Sequence, residues 1–375
     1  MHRPPASEQI MDPHDTSRQT SSFIGRAARK GPPNRFTSTH VEDDFEHLSS
    51  TDQVPHGRRK VATEYLEDRT NTILSENNSP DIPFRWSINP YRGCEHGCAY
   101  CYARPTHEYL GFNAGLDFES KILVKYRAAE LLRHELSRSS WTGEPIAMSG
   151  VTDCYQGAER RFCLTRQCLQ VMHDSRQPTM IVTKNALVTR DIDLLAPMAA
   201  ANLANVSISL TTLDDTLARS MEPRTSTPQA RLRSIRDLAD AGIPVQAMIA
   251  PIIPGLNDRE IPALLEVARK AGARAASYVL LRLPLTVEPV FLPWIQDNYP
   301  LAADRVEAHI RRTRSGQLSS SQFGQRMRGQ GPYADQIANL FKVFKHKTGL
   351  DQRLPRLDTT QFKPPPGVSG QLRLF

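Results

Sequence analysis

The sequence predicts an α/β protein built on an open partial barrel of six strand–helix units. Between Pro83 and Leu285, short apolar runs that stop at small or turn-forming residues alternate with amphipathic stretches of helical length. That alternation favours a parallel sheet with helical crossovers. Six units fall short of the eight that close a complete barrel, so the sheet is expected to stay open.

The first strand is expected in Pro83–Ile88, where apolar and polar residues alternate. Tyr126–Arg138 carries Ala129, Leu132 and Leu136 at helical spacing, and Ile146–Met148 is an apolar run stopped by Ser149 and Gly150. Leu164–His173 puts Leu164, Cys168, Val171 and Met172 on one helical face, and Met180–Val182 is the next strand. Asp191–Ala204 reads as a helix with Asp191 as N-cap, followed by an alternating strand at Val206–Leu210. Thr227–Ala241 reads as a helix capped by Ser226, with Pro228 in its first turn and Gly242 as its stop. Val245–Ile249 is a strand, Arg259–Ala271 a helix ended by Gly272, and Ser277–Leu281 the sixth strand.

The flanks differ in composition. Residues 1–50 are polar and rich in Pro, Ser and Thr, so a disordered N-terminal tail is expected, with Gly25–Gly31 as a solvated basic patch that could touch nucleic acid. Residues 51–82 form an N-terminal extension in which Val61–Ile73 could extend the main sheet. After the core at 83–285, the prolines of 286–300 break the pattern. A partly helical basic extension runs to 351, with helical pieces at Asp304–Arg314 and Tyr333–Phe344, and residues 352–375 read as a flexible tail.

Hydrophobic residues make up 39% of the 375, enough for a sizeable core, while the mean hydropathy of −0.45 implies long polar segments outside it. The net charge of +7 suits an anionic partner or simple solubility. Most of it lies late: residues 301–375 hold thirteen Lys and Arg against five Asp and Glu, a net of +8. Six cysteines, three of them clustered, suggest a metal site in a reducing compartment and a cytoplasmic protein. No apolar run is long enough to span a membrane and no apolar leader is visible. A monomer is expected.

The chemistry concentrates in Gly93–Tyr102, where Cys94, Cys98 and Cys101 are separated by three and then two residues. Thiolates are soft ligands suited to zinc or iron–sulfur. Zinc would want a fourth ligand, for which His96 or His107 is the candidate. A cubane cluster on three cysteines instead leaves one iron open to a chelating cofactor. The three-cysteine spacing, with Tyr100 just before the third, resembles the radical S-adenosylmethionine (SAM) superfamily. The longer run Asn89-Pro90-Tyr91-Arg92-Gly93-Cys94 through Cys101-Tyr102-Ala103-Arg104 resembles its spore photoproduct lyase-like branch. The resemblance implies a [4Fe-4S] cluster on Cys94, Cys98 and Cys101, with SAM on the open iron and contacted by Tyr100. It implies reductive cleavage of SAM to a 5′-deoxyadenosyl radical that abstracts hydrogen, and a reductase or flavodoxin-type electron donor. DNA or RNA is a possible substrate through the branch; a peptide or small molecule, or a non-catalytic metal-binding protein, are the alternatives.

The resemblance extends to residues after the strands. Where the superfamily often has Gly-Gly-Glu, this chain has Ser149-Gly150-Val151-Thr152-Asp153-Cys154. Ser149, Thr152 and Asp153 could accept from the SAM ammonium, or form a plain turn. Ser207 and Ser209 could bind ribose hydroxyls, and Lys184 or Arg224 the SAM carboxylate; solvated surface roles are the alternative. Pro254-Gly255-Leu256-Asn257-Asp258 matches a turn near the adenine, where Gly255 would let backbone approach a flat base. Cys154 could return hydrogen to a product radical, as in the branch, or simply pack. Cys163 and Cys168 could join it in a second cluster, though Cys168 falls on a helical core face.

Overall fold

In the computed structural model, which describes residues 25–28, 31–36 and 61–365, the described residues form ten strands: β1 (Glu64–Glu67), β2 (Leu74–Glu76), β3 (Trp86–Ile88), β4 (Tyr91–Arg92), β5 (Lys121–Val124), β6 (Ile146–Met148), β7 (Thr179–Thr183), β8 (Ala204–Ser209), β9 (Val245–Ile252) and β10 (Ala275–Leu280). The six expected strands are β3 and β6 to β10. With β2 they form one sheet in the order β10-β9-β8-β7-β6-β3-β2. In it β3 and β6 to β10 pair in parallel, and β2 joins β3 antiparallel through Leu74 opposite Ile88. β10 and β2 are separate edges, so the barrel stays open, as expected.

Between the strands lie α1 (Leu116–Ser120), α2 (Ala128–Leu136), α3 (Glu159–Phe162), α4 (Leu164–Asp174), α5 (Ile192–Ala200), α6 (Asp215–Met221), α7 (Pro228–Asp240) and α8 (Ile261–Lys270). After β10 come α9 (Glu288–Asn298), α10 (Pro300–Arg312) and α11 (Pro332–Lys347). Their packing follows their periodicity: α8 buries Ile261, Leu264, Leu265 and Ala268, one face at helical spacing, against β9. Met148, Ile181, Val206 and Ile249 from the sheet join Leu132, Met172, Leu195 and Ile235 from the helices in the main core.

Several expectations are corrected. α7 is capped by Thr227, whose side chain accepts from the Ala230 N–H; Ser226 accepts from the Ala186 N–H instead. Asp191 makes no capping bond because its carboxylate pairs with Arg166 and Arg190, and α5 ends at Ala200 because Ala204 already belongs to β8. Val61–Ile73 does not extend the main sheet. Its strand β1 pairs with β5, which with β4 makes a separate three-stranded sheet; β2, just beyond, is what reaches the main one. The proline-rich 286–300 stretch forms α9: Pro289 sits in its first turn, where no N–H is needed, and buried Phe291, Trp294 and Ile295 offset the bond lost at Pro293. Burial of Phe291 and Trp294 contributes about 2–3 kcal/mol each.

Two flanks are more ordered than their composition implies. Residues 352–365 dock on the core, where Asp358 N–H donates to Asn202, Lys363 N–H donates to Ser175, and Phe362 packs against the core cluster. In the Gly25–Gly31 patch Arg26 is buried, donating to the carbonyls of Glu119 and Val61 and to Thr63. Residues 1–24, 29–30 and 37–50 of the expected N-terminal tail, and residues 366–375, lie outside the described residues.

Candidate active site

The cysteine loop follows β4, which comes two residues after β3, and runs on into a 3-10 turn at Arg104–Leu110. It turns at Gly93 (φ +76°) and Gly97 (φ +63°), both in the left-handed region that favours glycine. A Cβ on Gly97 would stand 2.8 Å from Glu119 Oε2, so the loop can close only on a bare backbone. Cys94 and Cys98 are buried and Cys101 half-buried.

The loop is held by residues around it. Arg104, fully buried, pairs with Glu119 at 2.6 Å and donates to the carbonyls of Cys98, Ala114 and Gly115. Gln156 accepts from Glu95 N–H (2.9 Å) and donates to the Gly93 carbonyl (3.1 Å). Asn89 Oδ1 accepts from the N–H groups of Val151 (2.8 Å) and Thr152 (3.2 Å), joining this loop to the one after β6. Phe291, Trp294 and Ile310 of α9 and α10 share an apolar cluster with Cys98, Ala99 and Tyr100, so the C-terminal helices brace the loop from outside.

Burial raises all three thiol pKa values, with Asp153 adding to the effect at Cys94 and Glu222 at Cys98. A buried thiol becomes a good ligand when a metal cation replaces its proton. Three soft sulfurs carried on one loop are a donor set that suits a multi-iron group; among the described residues no three His, Cys, Asp or Glu side chains are grouped on a single ion. His96 is kept neutral by burial. Its Nδ1 faces Asp153 at 3.4 Å and its Nε2 faces Asn185 at 3.2 Å, so both ring nitrogens are engaged. His107 packs between Phe112 and Phe118.

Around the loop lies a polar layer that sequence reasoning only partly found. Tyr100 is buried and donates its hydroxyl to Glu222. Glu222 also accepts from Thr211 (2.8 Å) and pairs with buried Arg231. Arg231 and Lys184 hold the Glu222 carboxyl down to about 2 despite its burial. Lys184 lies 5.8 Å from the Tyr100 ring centre, and its charge lowers the pKa of His96 and opposes the rise at Cys98 and Cys101. Glu222 and Arg231 could have been suspected from one signal: a charged pair nine residues apart around the turn Glu222-Pro223-Arg224.

Other expected residues sit differently. Arg224 donates to the Gly25 carbonyl (3.0 Å) and to Thr63 (3.4 Å), so it ties down the N-terminal segment. Asp153 receives Thr183 Oγ1, Lys184 N–H, Tyr155 N–H and His96, which fills the roughly four lone-pair sites of a carboxylate. Ser149 (φ +71°) accepts from Cys154 N–H, Thr152 donates to the Tyr91 carbonyl, and the Gly150 carbonyl accepts from Tyr102. Ser207 and Ser209 are buried in β8, with Ser209 donating to the Ala250 carbonyl. The flat ring meeting Gly255 is the imidazole of His309, whose Cδ2 would stand 2.8 Å from an added Cβ. Asn257 bonds back to Ile253, Thr211 and Pro251, closing that turn. Cys154 is fully buried in the main core with Cys168, while Cys163 sits 3.8 Å from an Arg190 nitrogen.

Residues 88–268, which contain this site, match the model of the Radical SAM superfamily. An uncharacterised protein of Mycobacterium tuberculosis is 40% identical over 237 residues, covering 63% of this chain and 70% of that protein. One of Methanocaldococcus jannaschii is 29% identical over 224 residues, covering 60% and 80%. Among solved structures, spore photoproduct lyase complexed with dinucleoside spore photoproduct superposes with a TM-score of 0.53 at 17% identity, over 76% of this chain and 79% of that one. A cysteine-to-serine mutant of that lyase gives 0.54 at 17% identity, over 77% and 84%. At that identity the likeness concerns the fold. The cysteine loop at the rim of an open parallel barrel, the family model and the shared fold agree: the chain belongs to the radical SAM superfamily.

Proposed function

We propose that Cys94, Cys98 and Cys101 hold a [4Fe-4S] cluster whose open iron takes SAM, and that the enzyme uses SAM to abstract hydrogen from a nucleic acid. The observation that carries the cofactor reading is the loop itself: three soft sulfurs, two buried and one half-buried, on a backbone pinned by Arg104, Gln156 and two glycines at positive φ. When bound, the cluster supplies one electron to the SAM sulfonium, which yields the 5′-deoxyadenosyl radical. The chain's own part is to fix this chemistry in place. Arg104 holds the Cys98 carbonyl, the Glu222–Arg231 pair sets Tyr100 against the loop, and Lys184 keeps a positive charge beside the sulfurs. That charge favours the anionic state of a reduced cluster and suits a carboxylate. A reductase or flavodoxin-type protein supplies the electron.

The nucleic-acid reading is supported by the +8 surplus of residues 301–375 and by the fold shared with a lyase solved with a dinucleoside photoproduct. The test is anaerobic reconstitution with iron and sulfide, followed by reduction in the presence of SAM and chromatography for 5′-deoxyadenosine. About four irons per chain and 5′-deoxyadenosine are expected. An intact cluster that yields no 5′-deoxyadenosine rejects the radical reading.

A further inference from the structure

Away from the cysteine loop, a cleft of about 620 Å³ opens between edge strand β10 and α11, lined in part by Ser277, Tyr278, Arg328, Phe341, Lys342 and Lys345. Tyr278 packs on Phe341 with ring centres 4.6 Å apart, and the Arg328 guanidinium lies over Tyr278 at 4.1 Å. Asp351, the carboxylate at the rim, is paired with His346 at 2.8 Å. Arg328, Lys342 and Lys345 form no ion pair among the described residues. Burial and the nearby Arg328 lower the pKa of Lys345 against the pull of Asp351, so two cations face each other beside a carboxylate already paired with His346. A phosphate would relieve that repulsion.

The arrangement continues toward the site. Two residues before Arg328, Arg326 lies over the Phe323 ring at 4.7 Å. Arg282, just past the end of β10, lies over Tyr102 at 4.9 Å and is close enough to Arg326 and Arg314 for their charges to act on one another. Arg282 makes no hydrogen bond or ion pair among the described residues, although its guanidinium is half-buried. Phe323 and Tyr102 are 56% and 46% exposed. Tyr102 directly follows Cys101, and its hydroxyl is anchored on the Gly150 carbonyl at 2.9 Å. Three arginine–aromatic pairs thus lead from the cleft to the mouth of the cysteine loop.

We propose that these pairs form a track for one strand of nucleic acid, with phosphates on Lys345, Arg328 and Arg282 and bases against the exposed faces of Phe323 and Tyr102. The proposal rests on the nucleic-acid reading above and adds the strand's path and its unpaired state. Cations that follow a backbone, interleaved with aromatic rings that take bases face-on, suit bases already out of a duplex stack. Arg326 is paired with Asp81, so it holds the segment in place and leaves the phosphate contacts to the unpaired cations.

The test uses the full chain and a fluorescein-labelled oligothymidine, with anisotropy titrations over a range of salt. Each phosphate contact removed should lower the slope of log affinity against log salt by about 0.7. Arg328→Gln with Lys345→Gln should therefore lower it by about 1.4, and Arg282→Gln by about 0.7. Phe323→Ala should weaken binding roughly tenfold with the slope unchanged. Lys270→Gln, which removes a surface cation paired with Glu266, should change neither. Thermal melts accompany each variant; the exposed Arg328 and Phe323 carry the test if Arg282→Gln fails to fold. Wild-type protein that binds the oligonucleotide while all track variants behave like wild type overturns the track alone. Wild-type protein that binds no oligonucleotide at low salt removes the nucleic-acid reading as well. Displacement by inorganic phosphate or polyglutamate as efficient as by unlabelled oligonucleotide also overturns the proposal, assigning the cleft to a small anion or an acidic chain.

Discussion

Arg104 donates two hydrogen bonds to the carbonyl of Cys98, from Nε at 3.1 Å and Nη2 at 2.7 Å, while its Nη2 also meets Glu119 at 2.6 Å. One buried guanidinium thereby fixes the middle cysteine and neutralises the carboxylate below it. Arg104→Ala would leave Glu119 charged and buried, and the expected loss is about 3–5 kcal/mol of stability in urea unfolding. Arg104→Lys should recover little of it, because one ammonium cannot reach the carbonyls of Cys98, Ala114 and Gly115 together. Unfolding curves for either variant that overlay the wild type would contradict this account.

Tyr100 and Glu222 give a graded pair of variants. Tyr100→Phe removes one donor and leaves Glu222 with Arg231 and Thr211, so a loss of about 1–2 kcal/mol is expected. Glu222→Gln strips Arg231 of its counter-charge and should cost about 3–5 kcal/mol. The order of the two midpoints is the measurement, and a reversed order would show that Arg231 is stabilised by something else.

His107 gives a pH signature. Burial, outweighing the pull of Asp117 and of the Lys121 carbonyl, lowers its pKa from 6.5 to about 4. The folded chain therefore keeps it neutral where the unfolded chain protonates it. Stability should be full above pH 6.5 and fall by about 3 kcal/mol as pH drops toward 4. His107→Phe should flatten that part of the profile, compared by urea midpoints at pH 7 and pH 5. A variant profile as steep as the wild type would assign the dependence to other groups.

The cysteines divide into two sets. Cys98→Ala should lose the reconstituted iron and sulfide. Cys168→Ala, in the apolar core, should keep both while losing about 1 kcal/mol of stability. Full iron in the Cys98 variant would defeat the ligand assignment.

Much of the fold was legible because its signals are local. Val206–Leu210 alternates and overlaps β8 through Ser209, and Ile261, Leu264, Leu265 and Ala268 repeat at helical spacing in α8. The side sheet was not legible, since β4 is two residues long and β1 pairs with β5 across more than fifty positions. α9 was hidden by prolines that its first turn and apolar burial tolerate. The cysteine cluster itself is visible in the sequence as a spacing. Its supports are not, because Arg104 serves Glu119 and Glu222 serves Arg231 through contacts that exist only after folding. Gly255 showed that a glycine reports close approach without naming what approaches, here the imidazole of His309.

The burial of Arg26 bears on how the protein should be prepared. Its guanidinium and the Ala28 N–H both land on Glu119, the residue that holds Arg104. A shortened version beginning at residue 61, which hydropathy would invite, would delete both of these donors and strip one wall from the cradle of the cysteine loop. Metal loading measured on such a fragment would report the damage done by trimming, so preparations intended for iron analysis should begin upstream of residue 25.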